Sequence, residues 1–245
     1  MEKAEYDLMY RIETRYWWYV ARRWLMIRLL GRSLRSGGLK GLDVGCGTGG
    51  NIMATRKFGE MSGCDIAPEA VEFCRERGIA AVIQDQPDAL PFPDSSFDFL
   101  TSFDVLEHIG NDAKMLADFA RVLKPGGLAL ITVPAYPSLW SLHDDSMHHI
   151  RRYTWKEVVE KVRSAGFHPE MVTHINLFLL PLILPVRWLR DKFTRKKGVT
   201  SDFNLNLPGW MNFIYKVIFC AEWYWLRFVP IPAGLSLVCV MRKKP

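Results

Sequence analysis

Between residues 39 and 176, short apolar runs alternate with amphipathic stretches, and glycine or proline punctuates most of the changes. The runs at 39–45, 61–66, 79–85, 96–105 and 128–134 are aliphatic and bounded by turn formers, which predicts strands; 167–176 and 234–242 read as two more. The intervening stretches predict helices over about 51–58, 68–78, 111–123 and 155–165. Pro68 stands at a first helical turn with Gly78 as the stop. Thr154 caps the last of these helices and Gly166 ends it. Strict alternation of strand and helix predicts an α/β fold, a mostly parallel sheet with helices on both faces.

The flanks read differently. Residues 5–30 predict helix, broken near Tyr16, with apolar positions 17, 20, 24, 27 and 30 at helical spacing and Arg15, Arg22, Arg23 and Arg28 between them. Glycines in 31–38 end it. Residues 177–230 separate the sixth and seventh strands. Within them, 177–190 is apolar with two prolines, Arg195–Lys197 is basic, and 208–228 predicts a helix apolar on most of its circumference. The expected organisation is a helical extension over 1–36 and a main domain over 37–245, with 177–230 as an apolar helical insertion, either a lid or membrane-facing.

Charge follows the same division. Residues 1–36 carry +4, 37–186 carry −6 and 187–245 carry +8, and seven of the nine tryptophans lie in the two basic ends. Basic, Trp-rich amphipathic segments suit an anionic membrane surface; equally, such helices can pack their aromatics on the core. With 49% apolar and 24% charged residues the chain is globular, not disordered. Five scattered cysteines without C-x-x-C spacing read as buried small hydrophobes in a reducing compartment. Four acids in the first thirteen residues exclude a signal peptide there. The apolar, charge-free window 171–186 is short of the roughly 20 residues a spanning helix needs. A cytoplasmic protein, or one peripheral at the inner face of the membrane, is expected.

The chemistry-bearing motif follows the first strand: Asp43-Val44-Gly45-Cys46-Gly47-Thr48-Gly49. Glycines there permit a tight turn and close approach of a ligand to the backbone. The second strand ends in Asp65, about 20 residues on, where an acid can accept hydrogen bonds from a ribose diol. A purely structural turn, with Asp65 as a helix cap, is the alternative. An acid ahead of the glycines suits a cationic ligand tail better than a pyrophosphate.

These residues resemble motif I of the class I S-adenosylmethionine-dependent methyltransferases, of the small-molecule and lipid type. The resemblance continues through GCDIAPEAVEFCRERG, LPFPDSSFDFLTSFDVLEHI and RVLKPGGLALITVP, in order, over about 40–134. WSLHDDSMHHIRRYT (140–154) resembles a block found in a subset of the family. The resemblance implies a seven-stranded, doubly wound Rossmann-like sheet whose last strand runs antiparallel, with S-adenosyl-L-methionine as cofactor. It implies that Asp43, Gly45, Cys46, Gly47 and Gly49 hold the methionine moiety, Asp65 the ribose and Ile66 the adenine face. Asp85 or Gln86 would meet the adenine amine. Ser102, Phe103, Asp104, Val105 and His108 would line the far side of the cofactor.

Methyl transfer mainly requires alignment of the acceptor, plus a base if the acceptor must lose a proton. The candidates are His149, His143, Asp144, Tyr153 and His108, which follow the fourth and fifth strands; His149 leads because the resembling block also has His there. The alternative is that this loop's His and Arg residues only fix the loop. No metal is expected, since His143, Asp144, His148 and His149 lack a recognised ligand spacing. The implied activity is methyl transfer to a small hydrophobic or lipid-linked acceptor. An RNA methyltransferase, suggested by the pI of about 9.1, ranks lower because basic residues alternate with large apolar ones, so nucleic acid is disfavoured as a partner. A catalytically silent fold acting as a membrane-surface module is the third reading.

Overall fold

The structure is a computed structural model, and it describes residues 3–34, 37–186 and 207–245. Two helices, α1 (Lys3–Ile12) and α2 (Trp17–Ser33), precede the sheet. Strands β1 (Leu39–Val44), β2 (Gly59–Asp65), β3 (Ala80–Ile83), β4 (Phe97–Phe103), β5 (Leu123–Pro134), β6 (Phe167–Ile175) and β7 (Ser236–Lys243) then alternate with helices. These are α3 (Gly50–Thr55), α4 (Pro68–Glu76), α5 (Asp112–Val122), α6 (Leu142–Ser146) and α7 (Trp155–Ser164). Between β6 and β7, α8 begins at residue 180 and runs to 186, where the described residues stop, and α9 spans Gly209–Leu226. The basic run Arg195–Lys197 lies outside the described residues.

The seven strands form one sheet in the order β3-β2-β1-β4-β5-β7-β6, with β7 antiparallel to both neighbours and the other pairs parallel. This is the doubly wound sheet expected. Its order reverses between β1 and β4, and at such a switch point the carboxyl ends of the strands open a crevice for a ligand. One face packs α5 and α7, through Phe119 and Val162 onto Leu42, Leu100 and Phe167; the other packs α2, α3 and α9, through Leu25, Ile52 and Phe219 onto Phe99 and Val238.

Several boundaries differ from the sequence reading. Strand β3 stops at Ile83. Strand β5 starts at Leu123, ahead of Pro125, and an irregularity after Phe97 in the β4 pairing absorbs the Pro-Gly-Gly. Helix α6, closed by a capping box between Ser141 and Asp144, was not expected. The buried face of α2 is Trp17, Ala21, Leu25 and Leu29 with Met26 and Leu30, not the stripe 17/20/24/27/30. Arginines and large apolar residues are interspersed around the whole helix, so periodicity alone cannot choose a face. Arg22, one of the arginines between the expected apolar positions, is buried.

The extension and the insertion pack on each other. Phe219 of α9 lies edge-on to Trp18 and beside Trp17, and Trp24 meets Trp223. The Arg28 guanidinium stacks over Trp24 at 4.2 Å and over Trp223 at 5.5 Å. Asn212 of α9 accepts from the Trp17 amide at 2.7 Å and donates to the Arg15 carbonyl at 2.9 Å, so a residue from the far end of the chain caps α2. Fully buried Glu222 accepts from the amides of Asn176 and Phe178, which pins the start of the insertion to α9. Among the described residues no helix is long and apolar enough to cross a membrane.

Candidate active site

The cradle at the carboxyl end of β1 is built from backbone. Gly45, Gly47 and Gly49 have φ of 68°, 51° and 84°, the left-handed region where a side chain is strained. A Cβ on Gly45 would lie 2.3 Å from a methyl of Val105, and one on Gly49 2.5 Å from Ile79. The glycines are thus required by the chain's own packing as well as by any ligand. The amides of Gly45 and Cys46 both bond the Cys64 carbonyl, tying the turn to β2. Asp65 accepts from the Gly47 amide at 2.9 Å and the Ala67 amide at 3.0 Å. Asp43 is buried; Thr101 donates to its Oδ1 at 2.6 Å, and its Oδ2 has no partner among the described residues. Burial pushes the Asp43 carboxyl up to about 7, against the Thr101 hydrogen bond.

Helix α1 lies across this cradle. The Tyr6 hydroxyl reaches Asp65 at 3.5 Å, and the Met9 sulfur would sit 3.2 Å from a Cβ on Gly47. Buried Glu13 accepts from the Thr48 hydroxyl and pairs with Arg23 and Arg77, which locks the end of α1 onto the glycine turn. The sequence carried no sign of this contact, because nothing local links residues 6–13 to the motif.

Beside the cradle a cavity of about 250 Å³ opens at the carboxyl ends of β4 and β5. Its apolar walls come from α2 (Trp17, Trp18), the insertion (Leu179, Ile183, Tyr215) and Phe103. Its polar end holds Arg22, Asp104, Glu107, His108, His143, His149 and Arg152. Asp104, at φ 57°, bonds the Arg22 guanidinium and the Thr132 hydroxyl. Fully buried Asp144 accepts from His149 Nδ1 at 2.9 Å and from Arg152 Nε and an η nitrogen at 2.8 and 2.9 Å. Burial raises the Asp144 pKa, and the His149 and Arg152 hydrogen bonds outweigh it, holding the carboxyl well below the usual carboxylate range. That bond assigns the His149 proton to Nδ1 and turns the Nε2 lone pair toward the cavity. Burial lowers His108 to about 4, so it is neutral near pH 7.

The residues expected from the sequence divide into three groups. His108, His143 and His149 converge at the polar end of the cavity, with Phe103 and Asp104 beside them. Asp144 holds His149 in place and is itself engaged by Arg152. Tyr153 does not line the cavity: its hydroxyl donates to Asp112 at 2.9 Å in the core, so its position serves packing. Ser102 is buried with an unpartnered hydroxyl, and Val105 props Gly45. Ile66 is 55% exposed beside Asp65, an apolar face open to a ring. Asp85 and Gln86 are both exposed beyond the shortened β3. Arg22, Glu107, Arg152 and Asn176 also line the cavity and were missed. Arg22 looked like one more surface charge, and Glu107 lay inside a quoted motif without an assigned role. His148 stands where the resembling block usually has Gly, and its φ of 55° shows why glycine suits that place.

Residues 42–131 match the model of the family described as "Methyltransferase domain". Over those residues the chain resembles the class I S-adenosylmethionine-dependent methyltransferases. It is 32% identical over 173 residues to 27-O-demethylrifamycin SV methyltransferase of Amycolatopsis mediterranei, covering 63% of each chain. It is 30% identical over 131 residues to a human protein named "Probable tRNA methyltransferase 9B", covering 52% of this chain and 27% of that one. The aligned segments span from 46% to 64% of the first three curated relatives. Geranyl diphosphate methyltransferase, solved with GPP and sinefungin, superposes with a TM-score of 0.61 at 17% identity, covering 92% of this chain and 77% of that one, a likeness of fold.

S-adenosylmethionine, the cofactor of this domain, fits the residues present. The unpartnered, buried Asp43 Oδ2 is a ready acceptor for the methionine ammonium, directly or through water. Asp65 would hold the ribose and exposed Ile66 the adenine. The amides of Gly45, Cys46, Gly47 and Gly49 are all engaged within the protein. The methionine carboxylate therefore needs another donor, and the buried, unpartnered Nε of Arg22 is one.

Proposed function

We propose that the protein transfers a methyl group from S-adenosylmethionine to a lipophilic or lipid-linked small molecule. The observation that carries this reading is the cavity, greasy over most of its wall and with its charged groups gathered near the carboxyl ends of β4 and β5. A hydrophobic acceptor buries its body among Trp17, Leu179, Ile183 and Tyr215, worth about 25 cal/mol per Å² removed from water. Its nucleophilic atom then stays at the polar end, beside the methyl donor. Asp43, Asp65 and Arg22 bind the cofactor; His149, fixed by Asp144 and Arg152, serves activation of the acceptor; the cover of α2 and α9 excludes water.

The outer face of α9 supports delivery from an anionic membrane surface. Trp210, Phe213, Val217, Tyr224 and Phe228 are each about half or more exposed on one helix and its end, in a chain whose two ends carry the positive charge. Mass spectrometry of acceptor panels with labelled cofactor is the direct test, with lipid extracts, quinol-like small molecules and tRNA as separate arms. A methylated lipophilic product is expected; a methylated tRNA with no such product would replace this reading with RNA methylation. Vesicles of phosphatidylglycerol should co-sediment the protein, less so in high salt and for Trp210→Asp/Phe213→Asp. Unchanged sedimentation of that variant would remove the membrane from the proposal.

A further inference from the structure

Glu107 poses a question the cofactor does not answer. It is fully buried, lines the cavity, and neither of its carboxylate oxygens has a hydrogen-bond partner among the described residues. A buried carboxylate without partners is costly unless something compensates it. The groups nearest to it are two imidazoles. His149 Nε2 lies 3.9 Å from Glu107 Oε1, and the ring of His108 stands edge-on to that of His149 with centroids 5.0 Å apart. One ligand atom from each of Glu107, His108 and His149 can be chosen so that all lie within 4.8 Å of one another.

The tautomers make the arrangement specific. His149 Nδ1 bonds Asp144, whose other contacts to Arg152 and Ser141 keep it ionised and fixed. His108 Nδ1 lies 3.3 Å from the His148 carbonyl. Each ring thus gives its Nδ1 proton to an oxygen and keeps an Nε2 lone pair. Metal-ligating histidines characteristically donate their other N–H to a carboxylate or a backbone carbonyl in this way. Protein ligands about 2.1 Å from an ion lie roughly 3.4 Å apart in a tetrahedral site, so side-chain shifts of about 1 Å would close this one.

We propose that Glu107, His108 and His149 bind a divalent transition-metal ion, Zn²⁺ or Mn²⁺ in character, at the polar end of the acceptor cavity. The sequence had suggested no metal, because the set considered there shared only His149 with this one. Two imidazoles and one carboxylate leave a coordination position open, and in this protein it faces the cavity. The inference rests on the methyl-transfer reading for its consequence: the acceptor is a hydroxyl compound. Its oxygen would take the open position, and the cation would stabilise it as the oxyanion, its proton released to bulk solvent as the acceptor enters and before the cover excludes water. An oxygen lone pair then forms the bond to the sulfonium methyl carbon as the C–S bond breaks, its electron pair going to sulfur. His149 acts here as a ligand, and Asp144 and Arg152 as positioning residues.

The test needs neither cofactor nor acceptor, so it succeeds or fails separately from methyl transfer. Chelator-stripped full-length protein is titrated with Zn²⁺ and Mn²⁺ by calorimetry, and with Co²⁺ by visible absorption. One equivalent should bind, with ligand-field bands for Co²⁺. Glu107→Gln and His108→Ala should each weaken binding at least 100-fold while keeping the far-ultraviolet spectrum, and Asp144→Asn should weaken it 10–100-fold. His168→Ala, exposed on β6, serves as the control and should change nothing. No saturable binding at 1:1 stoichiometry, or binding that survives Glu107→Gln unchanged, overturns the proposal; Glu107 is then a neutral acid buried beside His149.

Discussion

In the cradle, the bond that shapes the cofactor turn joins Gly47 to Asp65, 18 residues apart. In the cover, the bond that caps α2 joins Trp17 to Asn212, 195 residues apart. One half of the site is a contiguous motif folded on itself at the end of two adjacent strands. The other is assembled from the two ends of the chain around the same sheet edge. The cradle is nearly all backbone and carboxylate, whereas the cover is mostly aromatic surface with a few polar groups. Substitutions in the cradle should therefore act on ligand affinity, and substitutions in the cover on stability.

The sharpest way to break that contrast is Arg152→Ala. It leaves Asp144 buried without its guanidinium partner and removes a hydrogen bond to the Ala135 carbonyl. Loss of one partner from such a pair should cost about 3–5 kcal/mol, read by urea unfolding. Affinity of the folded fraction for S-adenosylhomocysteine should change little. A large loss of that affinity would mean that the two halves are coupled.

Asp65→Ala should do the reverse. It removes the expected ribose acceptor and costs about 1–3 kcal/mol of S-adenosylhomocysteine affinity by calorimetry. An unchanged dissociation constant would remove Asp65 from the cofactor site.

A pH series sharpens the role of Asp43. Its folded pKa of about 7 stands above the ordinary aspartate value near 3.9. Its contribution to stability of the ligand-free fold is therefore fully present below about 3.9 and is lost as pH rises through about 7. Binding of an ammonium group runs the other way, because it favours the ionised carboxylate. Affinity for S-adenosylhomocysteine should rise by up to about tenfold per pH unit between pH 5 and 7 and level off above. Asp43→Asn should flatten that part of the profile; an equally steep profile in the variant would assign the dependence to another group.

The smallest effect tests the cover at its seam. Asn212→Ala removes the remote cap of α2 and should cost about 1 kcal/mol in unfolding free energy. Hydrogen exchange should quicken in the first turn of α2 and not in β1 or α3. Faster exchange in α3 would show that the seam supports the cradle too.

The strands, most helix starts and the cofactor motif were legible because each is a local pattern: alternation, a cap, a glycine turn, an acid at a fixed distance. Long-range partners were not legible. Nothing in the run WWYVARRWLMIR says that Arg22 turns inward to Asp104 while Arg28 lies on Trp24 and Trp223, since a helix with arginines on every side has no preferred face until a neighbour supplies one. Nor does LEHI say that Glu107 is left unpartnered between two imidazoles, or RRYT that Arg152 holds Asp144 while Tyr153 goes to the core. By itself the sequence determined the sheet and the cradle, because backbone turns and short spacings are fixed by neighbouring residues, and its resemblance to a family implied the cofactor. The tertiary structure decided the acceptor cavity, because its walls and its polar end exist only where segments some 200 residues apart meet and exclude water.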